Sequence, residues 1–281
     1  MRWLGFLLIF VPSAMVADTP TRIVTAGGDL TEIVVALGDS DKLVGVDTTS
    51  RYPPAISDLA SIGYVRRLSP EGLLTLTPDL LIGSHDMGPD TALEQLEAAG
   101  VTVAIAPEGR GAEAVPEKIA FIAGLLRRED EARDLIAAYW DDMEEVAAKV
   151  ATIETKPKVL FVLSLREGAP IVGGVETPAH DIITLAGGEN VAAEIQGWKT
   201  FNQEAIIGAA PDAILVMGSH LEGMGGVESL LGRPDIALTP AGRTGNVLTV
   251  DGALMLQFGP RTPEGVRALA GLLHPDLDLT P

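Results

Sequence analysis

Residues 69–85 read SPEGLLTLTPDLLIGSH, and residues 202–220 read NQEAIIGAAPDAILVMGSH. Each stretch has, in the same order, a helix-capping residue, a glutamate, a short apolar helix, Pro-Asp, an apolar strand and Gly-Ser-His. Ser69 and Asn202 are typical N-cap residues, and the continuous apolar runs LLI and AILVM are typical of strands buried on both faces. The repeated unit therefore predicts two related lobes.

Strands and helices alternate on either side of these two units. In the first half we predict strands at 22–28, 42–47 and 101–107, with helices at 30–38 and 92–100. This alternation predicts an α/β lobe with a mostly parallel sheet. In the second half we predict strands at 158–164 and 246–251 and helices at 178–188 and 263–273.

Residues 128–153 contain neither glycine nor proline, and their apolar residues recur at helical spacing. The pattern predicts one helix of roughly 39 Å between the two halves. We therefore expect an N-terminal lobe at 18–127, a linker helix at 128–154 and a C-terminal lobe at 155–281.

The first seventeen residues are typical of a secretory signal peptide. Arg2 precedes an apolar run, and Ala14 and Ala17 are small residues suited to a cleavage site. We expect cleavage after Ala17 and a mature periplasmic protein. A net charge of −19 argues against nucleic-acid binding, and the lack of cysteine excludes disulfides and thiolate metal sites.

Several stretches carry a resemblance to a known family. They are TAGGDLTEIVVALG (25–38), LVGVDTTSRYP (43–53), IGYVRRLSPEGLLTLTPDLLI (62–82), ITLAGGENV (183–191) and ALTPAGR (237–243). The chain resembles the substrate-binding proteins of ABC importers for vitamin B12, iron siderophores and heme, and within that class the periplasmic heme-binding proteins. The resemblance implies two Rossmann-like α/β lobes joined by a single long helix, with the ligand in a cleft between them.

The resemblance also implies that Tyr64 ligates the iron of ferric heme. A phenolate oxygen is a hard anionic donor that suits Fe(III), and a nearby cation helps the phenol to ionise. Arg66 matches the arginine that hydrogen-bonds the tyrosine oxygen in the family, and Arg67 is the alternative for that role or for a heme propionate. Arg166 and Lys199 are further candidates for the propionates. Tyr52 is a second candidate for the iron ligand.

Other residues are candidates for the rest of the cleft. His220 and His85 end the paired strands of the two repeated units, where ligands of open α/β sheets bind, so either could be a distal ligand. Some family members add a histidine near the end of the first strand of the second lobe, and the matching residues 160–174 contain none. Candidate apolar walls for a flat porphyrin are Met217, Met224, Met255 and Phe258.

Glu71 and Glu204 occupy matching places in the repeat. The resemblance implies that these glutamates dock the protein, as a monomer, onto an ABC permease dimer with its ATPase subunits. It also implies a supply route through an outer-membrane heme receptor system. A glutamate in a first helical turn also interacts favourably with the helix dipole, which is the alternative explanation.

No motif assembles a catalytic set, so we predict a binding protein and not an enzyme. The sequence has no G-x-S-x-G, no H-E-x-x-H and no phosphate-binding loop. Cobalamin or a ferric siderophore is the alternative ligand within the class. Four histidines and 39 acidic residues leave zinc or manganese as a further alternative, although there is no histidine-rich loop.

Overall fold

The fold is described from a computed structural model that covers residues 19–166 and 169–280, with only the backbone at Arg166. The predicted signal peptide, residues 1–17, lies outside the described residues. The strands are β1 (Ile23–Ala26), β2 (Leu43–Val46), β3 (Ala60–Ser61), β4 (Leu80–Gly83), β5 (Thr102–Ile105), β6 (Lys158–Arg166), β7 (Ala169–Gly173), β8 (Glu189–Asn190), β9 (Trp198–Thr200), β10 (Ala213–Met217) and β11 (Val247–Val250).

Helices follow most of the strands. They are α1 (Gly28–Ala36), α2 (Pro70–Thr75), α3 (Asp90–Ala98), α4 (Val115–Leu126), α5 (Glu129–Val150), α6 (Pro178–Leu185), α7 (Gln203–Ala209), α8 (Gly218–Leu221), α9 (Gly226–Leu231), α10 (Pro234–Ala237), α11 (Pro240–Thr244), α12 (Gly252–Leu256) and α13 (Thr262–Leu273). Short 3-10 helices cover Ser40–Lys42, Pro54–Asp58, Ala112–Ala114 and Glu222–Met224.

The first lobe contains a sheet in the order β3-β2-β1-β4-β5, in which every neighbouring pair is parallel. The central strands are buried on both faces, as their continuous apolar sequences predict. Helix α3 packs against α2 and against strand β5, and helices α1 and α4 contact each other. The predicted α/β lobe is confirmed.

The second lobe contains a mixed sheet in the order β11-β10-β6-β7-β9, with β8 beside the start of β6. Strands β11, β10 and β6 are parallel, whereas β7 and β9 join as antiparallel strands. The sequence pattern did not predict this antiparallel extension. Only two residues of the sequence separate β6 from β7, too few for the crossover that a parallel pair requires, so the pair is antiparallel.

The long helix α5 lies between the two sheets in the chain and packs against α4 and α13, one from each half. Its 22 residues span about 33 Å, and it begins and ends within the predicted range 128–153. Tyr139 lies on its buried face and donates a hydrogen bond from Oη to the Ala112 carbonyl at 2.8 Å. One hydrophobic cluster includes residues of α1, α4, α5, α6 and α13. The predicted fold of two lobes joined by one long helix is therefore confirmed.

The two repeated units form the same local structure. Ser69 caps α2 by accepting from the Gly72 N–H, and Asn202 caps α7 by accepting from the Ala205 N–H at 2.8 Å. Each helix leads to a buried central strand, β4 in the first sheet and β10 in the second. Consequently the residues after β4 and β10 lie at the carboxyl edges of their sheets, where an open α/β fold binds its ligand.

Candidate functional site

A cleft of about 920 Å³ lies between the carboxyl ends of the two sheets. This volume is near the upper end of the range for ligand pockets. The first lobe lines the cleft with Gly27, Gly28, Asp29, Thr48, Thr49, Arg51, Tyr64, Val65, Arg66, Ser84, His85 and Asp86. The second lobe lines it with Leu163, Pro178, Trp198, Met217, Gly218, Ser219, Val250, Asp251, Gly252, Ala253, Leu256 and Gln257.

Tyr64 lies in the loop between β3 and α2, and its side chain is 43% exposed. Its neighbour Val65 is buried and anchors the loop. Gly63 has φ of +85°, a conformation that favours glycine, and its carbonyl accepts from the Thr48 N–H at 2.9 Å. The Arg67 N–H closes a turn on the Tyr64 carbonyl at 2.7 Å. The loop is therefore fixed by its backbone, and the phenol is left at the cleft.

Arg66 pairs with a carboxylate that the sequence analysis did not single out. Its Nε donates to Oδ2 of Asp86 at 2.7 Å, its Nη2 forms an ion pair with the same oxygen, and Ser84 Oγ donates to Oδ1 at 2.5 Å. The hydrogen bond that Arg66 donates to Asp86 raises the pKa of Arg66 above its ordinary value. Burial raises the pKa of Asp86, but the bonds from Ser84 and Arg66 outweigh burial and hold that pKa below its ordinary value.

His85 also lines the cleft, directly after β4. Its side chain is half exposed, and Nε2 lies 3.8 Å from Oε1 of Glu108. The imidazole can therefore donate to or accept from a bound ligand, or coordinate a metal ion that the ligand carries.

Three other predicted polar residues are absent from the cleft lining that the structure describes. Arg67 and Lys199 are exposed elsewhere. The Lys199 side chain is absent from the lining because side chains alternate along a strand and its neighbour Trp198 faces the cleft. His220 donates from Nδ1 to the Leu163 carbonyl at 2.8 Å, so its ring is attached to the rim of the cleft. The Arg166 side chain lies outside the described residues.

The predicted apolar walls divide between the cleft and the core. Met217, at the end of β10, lines the cleft. The structure places Met224, Met255 and Phe258 in the hydrophobic core, and they are not in the described lining. Met255 is buried because the short helix α12 turns its other face, with Ala253 and Leu256, to the cleft.

Trp198 and Leu163 are cleft residues that the sequence analysis missed. Trp198 lies on the antiparallel strand β9, and its ring contacts Phe161 with 5.8 Å between ring centroids. Ser84 and Asp86 were also missed, although they flank His85 in the repeated Gly-Ser-His unit. Their position immediately after a buried strand was a usable signal.

Gln257 connects the two lobes at the cleft. Its Nε2 donates to the Thr49 carbonyl at 2.9 Å, whereas Oε1 is buried and has no hydrogen-bond partner among the described residues. Gly28 lies directly beside it, and a Cβ at that position would force the Gln257 side chain to move. Asp29, at the start of α1, is paired with Lys118 at 2.7 Å.

A second polar contact joins the lobes away from the cleft lining. Arg261 donates from Nε and Nη2 to the two oxygens of Glu32, at 3.0 and 2.7 Å. Burial raises the pKa of Glu32 despite these bonds. The guanidinium also lies 3.6 Å from the centroid of the Tyr52 ring, which accounts for the absence of Tyr52 from the described cleft lining.

Glu71 and Glu204 are both exposed in the first turns of α2 and α7. Glu204 borders a shallow depression with Asn202, Gln203 and Ile207. The two carboxylates therefore occupy equivalent, solvent-accessible positions in the two lobes.

Within residues 19–166 and 169–280, the structure contains no helix long and apolar enough to cross a membrane. In the same ranges it has no group of three or more His, Asp or Glu residues arranged to hold a metal ion.

Comparison with known proteins gives a family and a set of similar structures. The sequence profile of the family described as periplasmic binding protein matches residues 23–254. The periplasmic heme-binding protein RhuT from Roseiflexus sp. RS-1, in its apo form, is 38% identical with a TM-score of 0.87, covering 90% of this chain and 98% of that one. The periplasmic heme-binding protein BhuT, in complex with two hemes, is 37% identical with a TM-score of 0.84, covering 90% and 98%. The cobalamin-binding protein of Halobacterium salinarum is 28% identical over 269 residues, which are 91% of this chain and 70% of that protein.

Proposed function

The chain belongs to the periplasmic binding protein family, and on that premise we propose that it captures ferric heme through Tyr64 and delivers it to an ABC importer. The proposal includes the predicted maturation, in which residues 1–17 are removed and the protein acts in the periplasm. It also includes the predicted division into lobes at 18–127 and 155–281 with the linker helix at 128–154.

The position of Tyr64 carries the proposal. Of the three tyrosines in the chain, all of them in the described ranges, only Tyr64 lines the cleft. Tyr139 is buried in α5, and Tyr52 stacks on Arg261. An accessible phenol is suited to bind Fe(III) as a phenolate, because the phenolate oxygen is a hard anionic donor.

The shape and walls of the cleft support a flat, largely apolar ligand. Leu163, Trp198 and Met217 face the ligand space from the second lobe, opposite Tyr64 in the first. Burial of ~400 Å² of apolar porphyrin surface would contribute on the order of 10 kcal/mol before the costs of association. Heme-binding proteins are among the similar structures, and one of them is described with two hemes.

Among the remaining predicted residues, the proposal rests on those that line the cleft. Arg66 is the cation beside the iron ligand, and His85 is the candidate distal ligand. Arg67, Lys199 and His220 stay predictions for propionate or distal contacts, as does Arg166.

Delivery depends on the docking glutamates. We propose that Glu71 and Glu204 contact the two subunits of a permease dimer, whose ATPase subunits drive transport. Two equivalent carboxylates on two lobes match a partner with twofold symmetry, since each half of the dimer can offer the same cationic site. Exposed ion pairs contribute little each, which allows release after transfer.

Cobalamin is the second candidate ligand. The match to a cobalamin-binding protein over most of the chain favours it. Cobalamin would not need a phenolate, so the two candidates make different predictions for Tyr64.

The proposal is tested by titrating the purified protein with ferric heme and, separately, with cobalamin. Tyr64→Ala is expected to weaken heme binding at least ~100-fold and to change the visible spectrum, since groups one shell removed from a metal already alter its affinity 10- to 100-fold. Tyr52→Ala is the matched control, because Tyr52 has the same 43% exposure as Tyr64 but is covered by Arg261.

Two results would overturn the assignment. If Tyr64→Ala binds heme as tightly as the natural protein with the same spectrum, Tyr64 is not the iron ligand. If the natural protein binds cobalamin tightly and heme weakly, the second candidate is correct.

A further inference from the structure

Asp86 is an acidic residue in a cleft that we propose to bind an anionic ligand. Its side chain is 29% exposed, and it lines the cleft with Tyr64, Arg66 and Ser84. An unpaired carboxylate there would repel the propionates of heme. Its position therefore needs an explanation in terms of what it contacts.

Asp86 engages Arg66 through one edge of the guanidinium. Nε and Nη2 both bind the same carboxylate oxygen, and Ser84 donates to the other oxygen. Both oxygens of Asp86 are thus occupied by protein donors. In contrast, Nη1 of Arg66 has no hydrogen-bond partner among the described residues.

This arrangement restricts an otherwise free side chain. Arg66 lies in a loop and its side chain is 61% exposed, so without a partner it would sample many rotamers. Asp86 follows β4, a buried strand, and Ser84 lies two residues before Asp86 in the same segment. The orientation of the guanidinium is consequently set by the end of a central strand and not by the loop alone.

We propose that Asp86 is a positioning residue that holds Arg66 beside Tyr64 and balances the charge of Arg66. This proposal rests on the proposed heme-binding function. The resemblance implied that Arg66 bonds the tyrosine oxygen directly. In the structure two of the guanidinium nitrogens are committed to Asp86, and one nitrogen remains for the phenolate or a ligand carboxylate. The Asp86–Arg66 pair is neutral as a whole, so a ferric heme bound by a phenolate has no uncompensated charge from this pair beside it.

The proposal is tested by measuring ferric heme binding to three single variants, Asp86→Asn, Asp86→Glu and Arg66→Gln. A double variant combines Asp86→Asn with Arg66→Gln. Asp86→Asn is expected to weaken heme binding about 10-fold, because Arg66 is no longer held in place. It is also expected to move the Fe(III)/Fe(II) midpoint potential of the bound heme to a more positive value, because a negative charge near the iron is lost. Asp86→Glu should restore most of both properties.

The double variant shows whether Asp86 acts through Arg66. With Arg66→Gln present, Asp86→Asn is expected to cause no further loss of affinity. Asp90→Asn is the control for the change in net charge, because Asp90 is exposed at the start of α3 and does not line the cleft as described. Ser84→Ala removes a donor that holds Asp86 but keeps its charge. It should therefore weaken heme binding in the same direction as Asp86→Asn without moving the midpoint potential to a more positive value, and it serves as the affinity test if Asp86→Asn does not fold.

The inference is overturned if Asp86→Asn binds heme as tightly as the natural protein, or if it weakens binding equally with and without Arg66. These results are distinguishable from failure of the proposed function. If the proposed function is wrong, the natural protein itself would not bind ferric heme, or Tyr64→Ala would bind it unchanged.

Discussion

Replacement of Arg261 by methionine is expected to destabilise the contact between the lobes at neutral pH. Arg261 satisfies both oxygens of Glu32, whose side chain is only 8% exposed. In Arg261→Met this carboxylate would be buried with neither a cation nor full access to water. Removal of one partner of a buried ion pair costs about 3–5 kcal/mol. For a chain of this size the loss corresponds to a decrease in Tm of roughly 6–20 °C.

The reciprocal variant, Glu32→Gln, is expected to be much less destabilising. Burial raises the pKa of Glu32 even though Arg261 is present, so the folded protein penalises the charged carboxylate. An amide removes that penalty and keeps one oxygen that can accept from Arg261. Arg261 also retains the Tyr52 ring and the nearby Glu264 carboxylate at 3.7 Å. We expect Glu32→Gln to lie within about 1 kcal/mol of the natural protein.

The difference in stability between Arg261→Met and Glu32→Gln is expected to depend on pH. A carboxyl group whose pKa is raised by folding contributes stability that is complete below its unfolded value, near 4.5, and is lost as the pH rises through the folded value. Loss of Arg261 removes a cation that lowers the pKa of Glu32, so the folded value rises further in Arg261→Met. The deficit of this variant should therefore be largest at pH 7 and should shrink as the pH falls toward 4.5.

Thermal unfolding followed by circular dichroism at pH 7 and pH 5 measures these differences. The reasoning is refuted if Arg261→Met is within 1 kcal/mol of the natural protein at pH 7, or if its deficit grows on acidification. It is also refuted if Glu32→Gln is as unstable as Arg261→Met, because the cost would then lie in the lost bond and not in the buried charge.

Two further predictions concern ligand contact and docking. Trp198→Ala should weaken ferric heme binding about 10-fold through lost apolar contact, whereas Trp198→Phe should retain most of the affinity; equal affinity in Trp198→Ala would contradict the placement of the porphyrin against β9. Charge reversal at Glu71 and Glu204 together should leave heme binding unchanged and abolish stimulation of ATP hydrolysis by the reconstituted importer, while reversal at the exposed Glu94 should not. Undiminished stimulation by the double variant would exclude these glutamates as the docking contacts.

Several regular elements of both lobes could be predicted from the sequence, because each of these is specified by local patterns. Continuous apolar runs predicted the buried strands β4 and β10, and capping residues predicted the starts of α2 and α7. The two-lobe architecture followed from the repeated unit and the long amphipathic helix. These features depend on residues that are near one another in the chain.

The composition of the cleft could be predicted only in part, because it depends on contacts between distant segments. Tyr64 was identified through its family motif, but the partner of Arg66 is twenty residues away, on the segment after β4. Trp198 faces the cleft because β9 pairs with β7, and no local pattern specifies that pairing. Met255 was predicted as a wall residue, yet the rotation of the short helix α12 buries it.

The distribution of charge around the cleft explains how a protein with a net charge of −19 can accept an anionic ligand. Each aspartate in the lining is already engaged: Asp29 by Lys118, Asp86 by Arg66, and Asp251 by the N–H groups at the start of α12. Arg51, in contrast, has no hydrogen-bond or ion-pair partner within the described part of the chain, although it lines the same cleft. Since paired carboxylates repel an incoming anion weakly and the unpaired Arg51 guanidinium offsets the charge of Asp251, the charged groups that line the cleft are close to balanced, unlike those of the whole chain. At physiological ionic strength the potential of the acidic exterior is screened over about 8 Å. It therefore does not prevent capture of a carboxylate-bearing porphyrin at the cleft.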